Sequence, residues 1–166
     1  MSIIIFSRPV RSGKTAELMQ WCDQIPAIQN VGGVLMPDIG GGRKLFDIST
    51  KEYFDIECKD PSATVRSLIT VGNFNFYEDA FERANAIILK AASERDVLII
   101  DEVGKLELEG KGFYQSIKEI LERDEYNSSS KSIVLVVREN LYQQVLSFFE
   151  ITNPRLVNKL SDIDLY

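Results

Sequence analysis

With 166 residues, 45% of them hydrophobic and 27% charged, the chain is long enough for one domain that buries roughly 70% of its unfolded surface. A net charge of -6 argues against a general nucleic-acid or anionic-membrane binder, and no apolar stretch approaches the ~20 residues of a membrane span. The absence of histidine removes Ser-His-Asp and Cys-His hydrolysis and the usual zinc sites, so acid-base chemistry falls to carboxylates, lysines or metal-bound water. Cys22 and Cys58 have no CxxC spacing, and the N-terminal residues do not read as a signal-peptide h-region; both cysteines are expected to be reduced, in a cytoplasmic protein.

The first element is an apolar run at residues 3–6, read as a buried strand. Arg8-Pro9-Val10-Arg11-Ser12-Gly13-Lys14-Thr15 follows it and fits G-x-x-x-x-G-K-[ST] except at its first position. Loop N–H groups and a helix N-terminus attract phosphate oxygens, the lysine neutralises their charge, and the hydroxyl ligates Mg²⁺. Arg8 to Ala16 is therefore the candidate phosphate-binding stretch. Leu18, Cys22 and Ile25 then recur at helical spacing.

Residues 31–57 read as an antiparallel hairpin insertion at the sheet edge, its short strands flanking Asp38-Ile39-Gly40-Gly41-Gly42-Arg43. Arg43 and Lys44 either close over phosphates or decorate a hairpin tip. Residues 77–94 predict a long helix whose apolar stripe includes Phe81, Ala84, Ile88 and Ala91. The next apolar run, 97–100, delivers Asp101 and Glu102. Asp101 stands where a carboxylate holds Mg²⁺, and Glu102 can orient or deprotonate an attacking water. Lys105 either reaches the γ-phosphate or pairs with Glu107 on the surface.

Phe113, Ile117, Ile120 and Leu121 mark another helix, 127–131 a polar surface loop, and 133–137 a third buried strand. Arg138, just past it, contacts a ligand or makes a surface salt bridge. Residues 155–160 suit a last edge strand. Asn158-Lys159-Leu160-Ser161-Asp162 is one residue too long for a guanine-reading N-K-x-D motif, and Trp21 is expected in the core or an interface. Short apolar runs alternating with amphipathic helices predict an α/β fold across 1–166, with a mostly parallel sheet covered on both faces.

Asp101-Glu102-Val103-Gly104-Lys105-Leu106-Glu107-Leu108, followed by Phe113, resembles the DEIGKMEL…F signature of the THEP1-type nucleoside-triphosphatases. Arg43 to Ile48 and Val71-Gly72-Asn73-Phe74 are similar to further segments of that family. The resemblance covers about residues 1–150 and implies a P-loop fold, broad hydrolysis of ATP, GTP and other nucleoside triphosphates with Mg²⁺, and Glu102 as the water-activating residue. Arg8 and Arg11 stand where the family has glycine, Ala16 replaces a second threonine, Gly40 replaces an arginine and Leu45 a glycine.

The combined expectation assigns Lys14 and the loop to phosphates, Thr15 and Asp101 to Mg²⁺, and Lys14 with Glu102 to catalysis. Two alternatives stay open: a nucleotide-binding or regulatory module without turnover, and phosphoryl transfer to a nucleotide or other small acceptor.

Overall fold

The computed structural model describes residues 1–9, 12–24, 30–123 and 131–163. Val10, Arg11, Ile25 and most of the polar loop expected at 127–131 lie outside the described residues. One eight-stranded sheet organises the rest. In spatial order it runs β10 (Arg155–Val157), β1 (Ser2–Arg8), β9 (Ser132–Arg138), β8 (Val97–Val103), β2 (Val31–Leu35), β4 (Gly42–Asp47) and β3 (Asp38–Ile39), with β5 (Tyr53–Asp55) also paired to β4. The first five strands are mutually parallel.

The three unbroken apolar runs are the inner strands β1, β8 and β9. A strand covered on both faces has no solvent side to mark with polar residues, so its sequence does not alternate. Its side chains still divide by parity. Ile4, Phe6, Ile99, Val134 and Val136 pack with Leu18 and Cys22 of α1 (Lys14–Gln24) on one face. Ile5, Leu98, Ile100 and Leu135 pack on the other against α2 (Glu78–Glu94), α4 (Tyr114–Glu122) and α5 (Tyr142–Phe148). The expected stripes Phe81, Ala84, Ile88, Ala91 and Phe113, Ile117, Ile120 are all buried. Trp21 is partly buried against the α1-side core.

The 31–57 region is built differently from the expected edge hairpin. Its first arm, β2, pairs in parallel with β8, Val31 opposite Val97 and Val34 opposite Ile100, so it is a strand of the main sheet. Gly32 and Gly33 interrupt its apolar run, which is why it reads weakly as an inner strand. Only β3, β4 and β5 are antiparallel. A second hairpin, β6 (Leu68–Val71) with β7 (Phe74–Tyr77), joins β5's continuation through the Glu57–Phe76 bridge. No helix among the described residues is long and apolar enough to cross a membrane.

Candidate nucleotide site

Lys14 is the first residue of α1 and its Nζ reaches back over the loop, donating to the carbonyls of Arg8 (3.2 Å) and Pro9 (3.0 Å). Burial pushes its pKa down, against the raising pull of Glu102 and Asp101. The Arg8 side chain does not fill the loop. Its guanidinium pairs with Glu17 on α1 and lies 4.9 Å from the Phe6 ring centre. Ser12 is exposed, and so is Ala16 in the first turn of the helix.

Thr15 projects from the same turn to β8, where its hydroxyl donates to Asp101 Oδ2 at 2.8 Å. The Met36 N–H also donates to Oδ2, at 3.2 Å. Oδ1 is buried and has no hydrogen-bond partner. Burial pushes the Asp101 pKa up to about 6, less than it would without the Thr15 and Met36 donors. A hydroxyl and a carboxylate with one oxygen uncommitted are the donor chemistry of a hard divalent cation. Among the described residues no cluster of three His, Cys, Asp or Glu forms a self-sufficient metal cage, so a cation here would complete its shell with ligand oxygens and water.

Glu102 serves the opposite side of the strand. β8 slips by one residue against β9 at this point: Asp101 faces Val136 and Val103 faces Val137, leaving Glu102 as the extra residue of a bulge. Its carboxylate accepts from Arg43 Nη1 (3.2 Å) on one oxygen and from Arg138 Nε on the other. Burial alone would raise its pKa, but the hydrogen bonds and charges of Arg138 and Arg43 outweigh it and hold the carboxyl below its ordinary value. Arg138 ends β9, and its salt bridge is part of this cluster instead of an isolated surface pair. Arg43 is the second residue of β4, one place beyond the Gly40–Gly41 turn and Gly42, and the turn's φ values of 64° and 75° suit a two-residue hairpin of the primed type. Gly40 thus supplies the left-handed backbone of the turn that delivers Arg43.

Glu107 lies in α3 (Lys105–Leu108), and it is buried instead of paired with Lys105 on the surface. Its oxygens accept from the backbone N–H of Gly104 (2.7 Å) and of Phe113 (2.9 Å), pinning the loop after β8 from both ends. Gly112, at φ 63°, gives it room: a Cβ there would stand 2.2 Å from Glu107 Oε1. Burial raises the Glu107 pKa to about 7, opposed by those same donors. The acidic motif therefore carries a structural carboxylate as well as two at the site. Lys105 itself is exposed and lines a cavity of about 200 Å³ with Glu102, Arg43 and Arg138.

The fold brings together Lys14, Thr15, Asp101 and Glu102 as sequence spacing predicts. Sequence reasoning left open the convergence of Arg43 and Arg138 on Glu102, and it missed the burial of Glu107. The signals for the arginines were the three glycines before Arg43 and the strand end before Arg138.

Residues 3–160 match the family model described as NTPase. The chain is 30% identical over 98 residues to the nucleoside-triphosphatase THEP1 of Methanosarcina barkeri, covering 55% of each protein. It is 30% identical over 93 residues to the protein of that name from Methanopyrus kandleri (53% of this chain, 49% of the relative). With that of Methanothermobacter thermautotrophicus it shares 30% over 133 residues (75% of this chain, 72% of the relative). The chain thus spans about half the length of the first two relatives. Its fold is similar to the crystal structure of THEP1 from Aquifex aeolicus, with a TM-score of 0.70 at 19% identity over 94% of this chain and 88% of that one. The solution structure of a human cancer-related nucleoside triphosphatase gives 0.57 at 18% identity, over 98% and 90%. The sheet order and helix placement are those of a P-loop α/β domain, and with the family match across nearly its whole length the chain belongs to the THEP1 nucleoside-triphosphatase family.

Proposed function

We propose that the protein hydrolyses nucleoside triphosphates, ATP and GTP among them, to the diphosphate and phosphate with Mg²⁺, in the cytoplasm. The observation that carries this reading is the Thr15–Asp101 hydrogen bond at 2.8 Å with Lys14 and Glu102 as the immediate chain neighbours of its two partners. Breadth across bases is supported by the family and by the overlong Asn158–Asp162 stretch, which has the wrong spacing to read guanine.

The residues fit the metal. The free Asp101 oxygen and the Thr15 hydroxyl would hold Mg²⁺, which when bound neutralises charge on the β- and γ-phosphate oxygens. Lys14 already lies over the loop, and exchanging the Arg8 and Pro9 carbonyls for phosphate oxygens replaces neutral acceptors with charged ones, a stronger hydrogen bond. Glu102 stays ionised at neutral pH because two guanidiniums stabilise it, so it is a fixed acceptor for a water O–H. A carboxylate of depressed pKa is a weak base, so its contribution is first to orient the water and only late to take its proton. Arg43 and Arg138 place positive charge beside the position where the transferred phosphoryl carries developing negative charge.

Phosphate release should require Mg²⁺ and be lost in Lys14→Ala together with nucleotide binding. Glu102→Ala should bind nucleotide and release no phosphate. Unchanged release in Glu102→Ala would sink the assignment of that residue. Tight nucleotide binding by the unaltered protein with no release under any condition would favour the regulatory-module reading.

A further inference from the structure

We propose that the cavity on the far side of Glu102 is a second ligand site, for a planar ring carrying a phosphate monoester such as a nucleoside monophosphate, and that this ligand accepts the γ-phosphoryl group. The proposal rests on the phosphate-loop reading for the donor nucleotide but assigns a new site and a second activity.

The cavity is far roomier than hydrolysis needs. Orienting one water beside Glu102 takes about 30 Å³, whereas the space is about 200 Å³. Its floor is aromatic. Phe76, Phe81 and Phe113 are buried and meet edge to face, at 5.9 Å and 5.4 Å between ring centres. Phe74 stands at the rim, 46% exposed, stacked on Phe76 at 6.2 Å. An aromatic floor open to solvent through an exposed ring is a stacking platform for a planar group.

The rim has the opposite character. Arg43, Lys105 and Arg138 line it against the single carboxylate of Glu102. Glu107, the other acid on the wall, has both oxygens committed to backbone N–H groups, and burial pushes its pKa up to about 7. Three cations against Glu102 and a Glu107 already spent on backbone donors favour an anion, and planar arginine forks match phosphate oxygens. Ring below and phosphate above is the chemistry the walls select.

The site also lies where an acceptor is needed. One peptide link separates Glu102, on this wall, from Asp101, which is bonded to the phosphate-loop threonine. A phosphate monoester is largely dianionic at neutral pH, so its oxygen can attack without first losing a proton. The new bond runs from that oxygen to the γ-phosphorus, the bond from the γ-phosphorus to the β-bridging oxygen breaks, and the donor diphosphate leaves with the electron pair. The products are two diphosphates and no proton need move.

The test titrates the full-length protein, saturated with Mg²⁺ and a non-hydrolysable ATP analogue, with AMP, GMP, CMP, UMP, phenyl phosphate and inorganic phosphate. At least one ring-bearing monoester should bind in a one-to-one ratio without displacing the analogue, and inorganic phosphate should bind about tenfold more weakly or less. With ATP in place of the analogue, that monoester should be converted to its diphosphate. Phe74→Ala should weaken its binding by about tenfold, and Phe74→Tyr should restore it. Binding of nucleoside monophosphates but not phenyl phosphate fixes the source as a nucleotide; the reverse fixes it as another aromatic ester. The proposal is overturned if every monoester displaces the analogue, if none binds at millimolar concentration, or if one binds and no diphosphate forms. Retained ATP hydrolysis in those cases leaves the triphosphatase reading standing, whereas failure of the analogue itself to bind overturns both.

Discussion

The two sides of β8 solve the same problem in different ways. On the α1 side, Asp101 is almost fully buried, takes only two neutral donors and keeps one oxygen uncommitted. On the α2 side, Glu102 is partly exposed and fully committed to two guanidiniums. The pKa values diverge accordingly, Asp101 up to about 6 and Glu102 below its ordinary value. Adjacent carboxylates in one strand are thus prepared for separate tasks: one to accept a cation, the other to stay charged whatever binds. Environments that push neighbouring acids apart are how one residue type performs two roles.

The sharpest way to break that comparison is to remove one acid at a time. Glu102→Gln should reduce phosphate release by about a hundredfold or more while nucleotide affinity stays within about threefold, since the loop that holds phosphates is untouched. Asp101→Asn should lower release comparably but also abolish the Mg²⁺ dependence of nucleotide affinity, measured by calorimetry with and without the metal. If both variants lose affinity alike, the two acids do not divide the work.

The next largest effect concerns pH. Asp101 and Glu107 both have folded-state pKa values raised above their ordinary ones, to about 6 and about 7. A raised carboxyl contributes stability that is complete below its unfolded pKa and is lost as pH climbs through the folded one. The nucleotide-free protein should therefore lose about 3 kcal/mol of unfolding free energy between pH 5.5 and pH 8, read from urea denaturation. Glu107→Gln should flatten most of that slope. Mg²⁺-dependent nucleotide affinity should run the other way, rising with pH until Asp101 is ionised above about 6. A stability that climbs over the same pH window would contradict the burial of both groups.

Glu107→Ala tests what holds the loop after β8 in place. It strands the Gly104 and Phe113 N–H groups, and should cost about 2–4 kcal/mol in stability by the same denaturation measurement. The smallest effect is expected at Arg8. Its guanidinium is turned onto Glu17 in a part-exposed pair, so Arg8→Gly should change stability by about 1 kcal/mol or less. Nucleotide affinity should follow within about threefold by calorimetry. A large loss in Arg8→Gly would mean the guanidinium takes part in binding.

What could be seen in advance follows the range of the interactions. The inner strands, the α2 and α4 stripes and the loop-to-helix junction at Lys14 are local patterns of burial, and they are plain in the residues. The meeting of Thr15 with Asp101 spans 86 positions, yet it follows once the fold is known, because β1 and β8 run parallel with only β9 between them and their C-terminal ends lie at the same edge of the sheet. Arg43, Glu102 and Arg138 come from three separate strands, and nothing in the spacing of one announces the others. Glu107 looks like a surface residue because its neighbours Lys105 and Glu109 are charged. Only the three-dimensional return of Phe113 over the loop buries it. β2 was hard to place for a simpler reason: two glycines in five residues hide the signature of an inner strand.

The buried carboxyls have one more consequence in a chain that contains no imidazole. In most proteins, proton exchange near neutrality is dominated by histidine, and a ligand-linked proton cannot be traced to its owner. Here the described side chains whose ionisation is shifted into that range are Asp101 and Glu107. Repeating a nucleotide titration in buffers of different ionisation enthalpy would count protons released, and the difference in that count between the protein and Asp101→Asn at pH 6 reads the occupancy of the Asp101 carboxyl without any label.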